Sequence, residues 1–184
     1  MPAAVVVGSL TVAAAVLGIL TLERPQPLAG PPRAPIATAP AAETGQLDGL
    51  VPDVVLGTST GSVHLRDMRP ALVALVPTQC DCTDLLGILA SQANEFGLGL
   101  VVVAPTAQDA EIASLPGRLH RGTVVPAYDA NGELASTYGA IGVTVLTLRP
   151  DGTVGYVDWN VDKTVRLEGP LGEMVSLSAS LRSG

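Results

Sequence analysis

The chain has 184 residues, 47% of them apolar, with 10 Lys and Arg against 17 Asp and Glu for a net charge of −7. The length fits one domain, the mean hydropathy of +0.42 is too high for a disordered chain and points to lipid contact, and the acidic balance removes the electrostatic footprint of a nucleic-acid binder. Two cysteines exclude a disulfide-rich scaffold or a four-cysteine zinc site.

Residues 3–22 are 20 consecutive positions without a charge. As a helix rising about 1.5 Å per residue they would cover the ~30 Å hydrocarbon core of a bilayer. A removed signal peptide would instead need basic residues ahead of a shorter apolar run and a small-residue cleavage site close behind it. Here no Lys or Arg precedes the run and Ala37-Thr38-Ala39 lies far beyond it, so residues 1–24 are expected to be an uncleaved transmembrane anchor. Residues 25–48 hold six Pro and six Ala in 24 positions, which makes them a polyproline-like linker between membrane and domain. Arg24 and Arg33 after the span favour a cytoplasmic carboxyl side by the positive-inside rule.

From residue 49 the pattern becomes globular. Residues 54–56 and 63–65 are short strands around the turn-rich 57–61, a hairpin. Residues 71–76, ALVALV, are apolar on both alternations and predict a central strand covered on both faces. A helix is expected over 83–96, with Leu85, Leu86, Leu89 and Phe96 on one face and Asp81 or Thr83 capping its first turn. A buried strand over 98–104 follows, then a helix over 108–119 with Ile112 and Leu115 inward, cut short at Pro116-Gly117. A brief strand at 124–125 and a helix over 133–138 lead to strands 143–148 and 154–157 about the turn 149–152. The last helix begins with Pro170 at its first position and runs through Leu171, Met174, Val175, Leu177 and Leu181. The order predicts an α/β domain with a mixed sheet covered by helices on both faces.

Three blocks carry a resemblance. Val51-Pro52-Asp53 through Gly61, Val63, Leu65 and Arg69-Pro70 is similar to the opening of TlpA, ResA and peroxiredoxin-type redoxins. ALVALVPTQCDC, residues 71–82, is similar to their strand and active-site loop, and Tyr128 to Gly152, with Asp129 on its first aspartate, to the block that closes their fold. The chain thus resembles the membrane-anchored, extracytoplasmic branch of the thioredoxin-like superfamily, including the methylamine-utilisation redoxins of MauD type. The resemblance implies a thioredoxin-like fold, thiol–disulfide exchange with protein thiols or disulfides, no cofactor and no nucleic acid. It also implies a domain outside a bacterial cytoplasmic membrane, against the Arg24 and Arg33 signal. The sequence departs from the family at three places: Cys80-Asp81-Cys82 replaces Cys-x-x-Cys, Gln79 stands where Trp precedes the first cysteine, and the cis-proline position falls on Val143 or Thr144. Those last two residues are the candidates for substrate binding.

The resemblance makes Cys80 the attacking sulfur and Cys82 the resolving one. A helix amino terminus favours a thiolate, whereas Asp81 and Asp84 oppose it. A bridge closed over one intervening residue has distorted geometry, and such disulfides are oxidising. Two thiolates could alternatively hold copper(I), or the fold could serve as a redox-inactive interaction module. A peroxidase would need Pro-x-x-x-Thr-x-x-Cys, and here Pro77 and Thr78 are adjacent with Cys80 two residues on. His64 and His120 read as surface residues rather than ligands, and Trp159 as packing or edge cover.

Overall fold

The structure is a computed structural model that describes residues 34–119 and 123–180, with the side chains of 116–119 left aside. The expected span over 3–22, together with Arg24, Arg33, His120 and Leu181, lies outside the described residues. Among those described, no helix is long and apolar enough to cross a membrane. The described residues fall in one compact unit.

The chain order is β1 (Val55–Thr58), β2 (Gly61–His64), a 3-10 turn (Leu65–Met68), β3 (Ala71–Leu75), α1 (Thr83–Glu95), β4 (Gly99–Ala104) and α2 (Ala107–Leu119). There follow β5 (Val124–Tyr128), α3 (Glu133–Tyr138), β6 (Thr144–Leu148), β7 (Val154–Asp158) and α4 (Glu168–Ser180). The strands make one mixed sheet in the order β2-β1-β5-β4-β3-β6-β7. β3 pairs parallel with β4 and antiparallel with β6, so the all-buried run 71–75 is central as expected. Its residues alternate between two cores. Leu72, Ala74 and Val76 meet Leu86 and Leu89 of α1 and Leu171 and Met174 of α4. Val73 and Leu75 face Leu134 and Tyr138 of α3 and Leu65 of the 3-10 turn.

Several expectations change in detail. β5 runs through Pro126 to Tyr128, because its full ladder is with β4 alone and it meets β1 at a single register position, Gly57 opposite Tyr128. A missing N–H is tolerated on such an open side. α2 continues past Pro116-Gly117, and Ile112 and Leu115 are 58% and 51% exposed rather than inward. Its buried residues are Ala110, Ala113 and Ser114, small side chains that let the helix lie close to α1 and β4. α4 starts at Glu168, which puts Pro170 third; first-turn amides have no intrahelical acceptor, so the ring costs no hydrogen bond there. Val175 and Leu177 are exposed, and only Leu171 and Met174 reach the core from that helix.

The expected linker ends earlier than residue 48. Ala37 N–H donates to Asp151 C=O (2.9 Å), Asp48 N–H to Val154 C=O (2.8 Å), and Ala42 bridges Gly49. Arg149 of the β6–β7 turn binds Asp48 at 2.5 Å and Glu173 of α4 at 2.9 Å, tying the segment 34–50 to the domain. The turn offers backbone partners that an isolated Pro/Ala-rich segment lacks.

Gln92 of α1 was not singled out from the sequence. Its buried amide donates to Val165 C=O (3.1 Å) and accepts from Leu167 N–H (2.8 Å), fastening the approach to α4 onto α1. Gln92→Ala strands both backbone groups and is expected to lower the unfolding free energy by about 2 kcal/mol, read from the urea midpoint.

Candidate redox site

Val76 N–H still donates to Val103 C=O (2.9 Å), but Pro77 has no N–H to give and the strand pairing stops there. The chain then turns over Thr78 and Gln79, both exposed, with Gln79 in the left-handed region at φ 55°. This reversal delivers Cys80 to the carboxyl end of the central strand. Cys80 and Cys82 are joined as a disulfide with Asp81 between them, their Cα atoms 5.2 Å apart. The two cysteines differ in burial. Cys80 is partly exposed, whereas Cys82 is 6% exposed and packs into the core under α1.

Cys82 is also the N-cap residue of α1, and its carbonyl accepts the N–H of Leu86 at 2.9 Å. Neither Asp81 nor Thr83 caps this helix as the sequence had led us to expect; no side chain does. The partial positive charge of a 13-residue helix therefore falls on the position where a Cys82 thiolate would form on reduction. Of the two carboxylates expected to oppose it, Asp84 is engaged by Lys163, Nζ to Oδ2 2.5 Å. The hydrogen bond and charge of Lys163 hold the Asp84 carboxyl below its ordinary range, and the same contact, with a smaller contribution from Asp81, holds the ammonium above its own. Lys163 lies 79 residues beyond Asp84, and no local signal could have paired them.

An open cleft of about 420 Å³ lies in front of the disulfide. One wall is Pro77, Gln79, the cysteine loop and Leu85; the other is Gly142, Val143 and residues 160–163. Val143 is thus in the cleft wall, although its carbonyl is taken by the N–H of Val161 at 2.9 Å. Thr144 is not in the wall. It is fully buried, and its hydroxyl closes the loop by bonding the backbone of Ile141 at 3.3 Å. The single cis peptide among the described residues is Arg69-Pro70, so the bonds entering Val143 and Thr144 are trans. Gly142 sits at φ 58°, in the left-handed region that favours glycine, and a Cβ there would also lie 2.4 Å from Asn160 Oδ1, the end of a side chain.

Trp159 is 51% exposed, with its indole N–H donating to Tyr138 C=O at 2.6 Å. Burial raises the phenol of Tyr138 above its ordinary value, and its hydroxyl has no partner among the described residues. His64 stands on the edge strand β2 with Nδ1 2.9 Å from Asp53, apart from the cysteine cleft. Among the described residues no three His, Cys, Asp or Glu side chains group to hold a metal.

No family model matches this chain, and no curated protein matches it. Solved structures do. A thio-disulfide isomerase from Thermus thermophilus is similar with a TM-score of 0.53 at 17% identity, over 74% of this chain and 97% of that one. A thiol:disulfide interchange protein described as DsbE, from Chlorobium tepidum, gives 0.50 at 20%, over 70% and 94%. The copper-bound ScoI of Arabidopsis thaliana gives 0.50 at 13%, over 74% and 100%. The fold is thioredoxin-like.

Proposed function

We propose that this chain is a thiol–disulfide oxidoreductase whose Cys80–Cys82 pair exchanges with cysteines of client polypeptides, held by residues 1–24 at the outer face of a bacterial membrane. The observation that carries the reading is the asymmetric disulfide: a partly exposed cysteine joined to a buried one at a helix amino terminus, both lining an open cleft. A client thiolate attacks Cys80 Sγ, the Cys80–Cys82 bond breaks, and the electron pair leaves on Cys82, where the helix end stabilises it. A second client thiolate then attacks the client sulfur of the mixed disulfide and Cys80 leaves. The client gains a disulfide and the pair gains two electrons, the reaction running backwards for isomerisation or reduction. The names of the Thermus and Chlorobium proteins of like fold support this chemistry.

The test is a redox titration of the full-length chain in detergent against glutathione buffers, counting free thiols by maleimide mass shift. A reversible two-electron transition supports the proposal. Cysteines that stay reduced throughout, or unreactive in the native chain, overturn it and turn attention to copper(I) binding by the two thiolates. Membrane placement is tested separately, with a tag after Gly184 and protease protection in intact cells; a protected tag overturns the outward orientation.

A further inference from the structure

We propose that Ile141 and Trp159 form the docking shelf for clients, and that the preferred client segment carries an apolar side chain beside its cysteine together with Lys or Arg neighbours. The inference deepens the exchange reading and rests on it for the identity of the partner. Ile141 and Trp159 are 67% and 51% exposed. Asn160 N–H donates to Ile141 C=O at 3.0 Å, which sets the two apolar side chains on adjoining backbone, and Gly142, Val143, Asn160 and Val161 next to them are one wall of the disulfide cleft. Shelf and reactive sulfur therefore share a rim. The indole N–H is already satisfied by Tyr138 C=O, so the ring is held in place and presents an apolar surface with no unmet polar group. A preset aromatic surface loses little conformational entropy on binding, which is why such residues anchor interfaces.

The charge around the shelf selects the occupant. Asp81 and Asp162 line the cleft, Asp158 lines the adjoining hollow with Trp159, and Asp84 meets the cleft residue Lys163. Against them are Lys163, engaged with Asp84, and Arg166, turned to the carbonyls of Thr164 and Val165. The rim keeps an acidic excess that a basic segment complements. A second copy of this chain, itself at −7, would bring the same acidic rim against it.

Trp159 is the one tryptophan in the chain, so its emission reports the shelf directly and without any exchange step. The full-length chain in detergent is titrated with a peptide whose reactive cysteine is replaced by serine, flanked by leucine and lysines, and with its glutamate-flanked counterpart. A saturable blue shift with the lysine peptide is expected. Binding should be at least about tenfold weaker for the glutamate peptide, converging at high salt, and about tenfold weaker for Ile141→Ser, a change at an exposed position. No shift, equal titration by the two peptides, or a shift that follows protein concentration instead of peptide each overturns the docking proposal, the last because a second copy then covers the shelf. Because the peptide cannot exchange, binding without any glutathione transition leaves docking standing and removes the redox reading, and a transition without binding does the reverse.

Discussion

Cys80→Ser is expected to abolish thiol–disulfide exchange, while Cys82→Ser accumulates a trapped mixed disulfide with the client. The asymmetry follows from exposure and connectivity. Both cysteines line the cleft, but Cys80 is the more exposed of the two and Cys82 is buried at the N-cap of α1. With Cys80 gone, the remaining thiol belongs to a residue only 6% exposed, which keeps client sulfurs from it. With Cys82 gone, Cys80 can still attack a client disulfide, but nothing within the protein displaces the client afterwards. The readout is a non-reducing gel shift with mass identification of the adduct, alongside exchange rates with a disulfide peptide. Equal rates for the wild type and Cys80→Ser would remove the assignment of roles.

Leu86→Ala is expected to cost about 2–5 kcal/mol of stability, the range for truncating a fully buried leucine. Leu86 is completely buried between α1 and the central strand, and its backbone N–H donates to the Cys82 carbonyl and so starts the helix. The cavity would open directly beneath the cysteine loop. A urea denaturation midpoint that falls with the slope unchanged is the expected result; a loss below about 1 kcal/mol would mean that the first turn of α1 is not packed as described.

Much of the fold was legible because it rests on local pattern. The run 71–76 could hardly be anything but a strand buried on both faces, and the turn 149–152 between two β-rich segments gave the β6–β7 hairpin. The cysteine loop was placed correctly at the end of that strand and before a helix. Expectations missed where the deciding partner is distant. Ile112 and Leu115 have the right period for a buried stripe, yet α2 turns its alanines inward because close approach to α1 leaves room only for small side chains. Thr144 shares a loop with Val143, but the two fall on opposite sides of the strand, and the hydroxyl closes the loop instead of facing the cleft. Nothing near Gln92 in sequence reveals that its amide fastens residues 165–167, and nothing near Trp159 reveals that its indole N–H is spent on Tyr138.

The amino-acid sequence by itself determined the class of fold, the order of its elements and the position of the cysteine pair, since apolar periodicity and turn chemistry act over a few residues. Tertiary structure alone decided which cysteine is the more exposed, that Lys163 takes the charge of Asp84, and that the backbone beside Trp159 joins Ile141 through the Asn160 N–H. Those relations join residues about 18 to 80 positions apart, and they come into being only when the sheet brings its two carboxyl-end loops together.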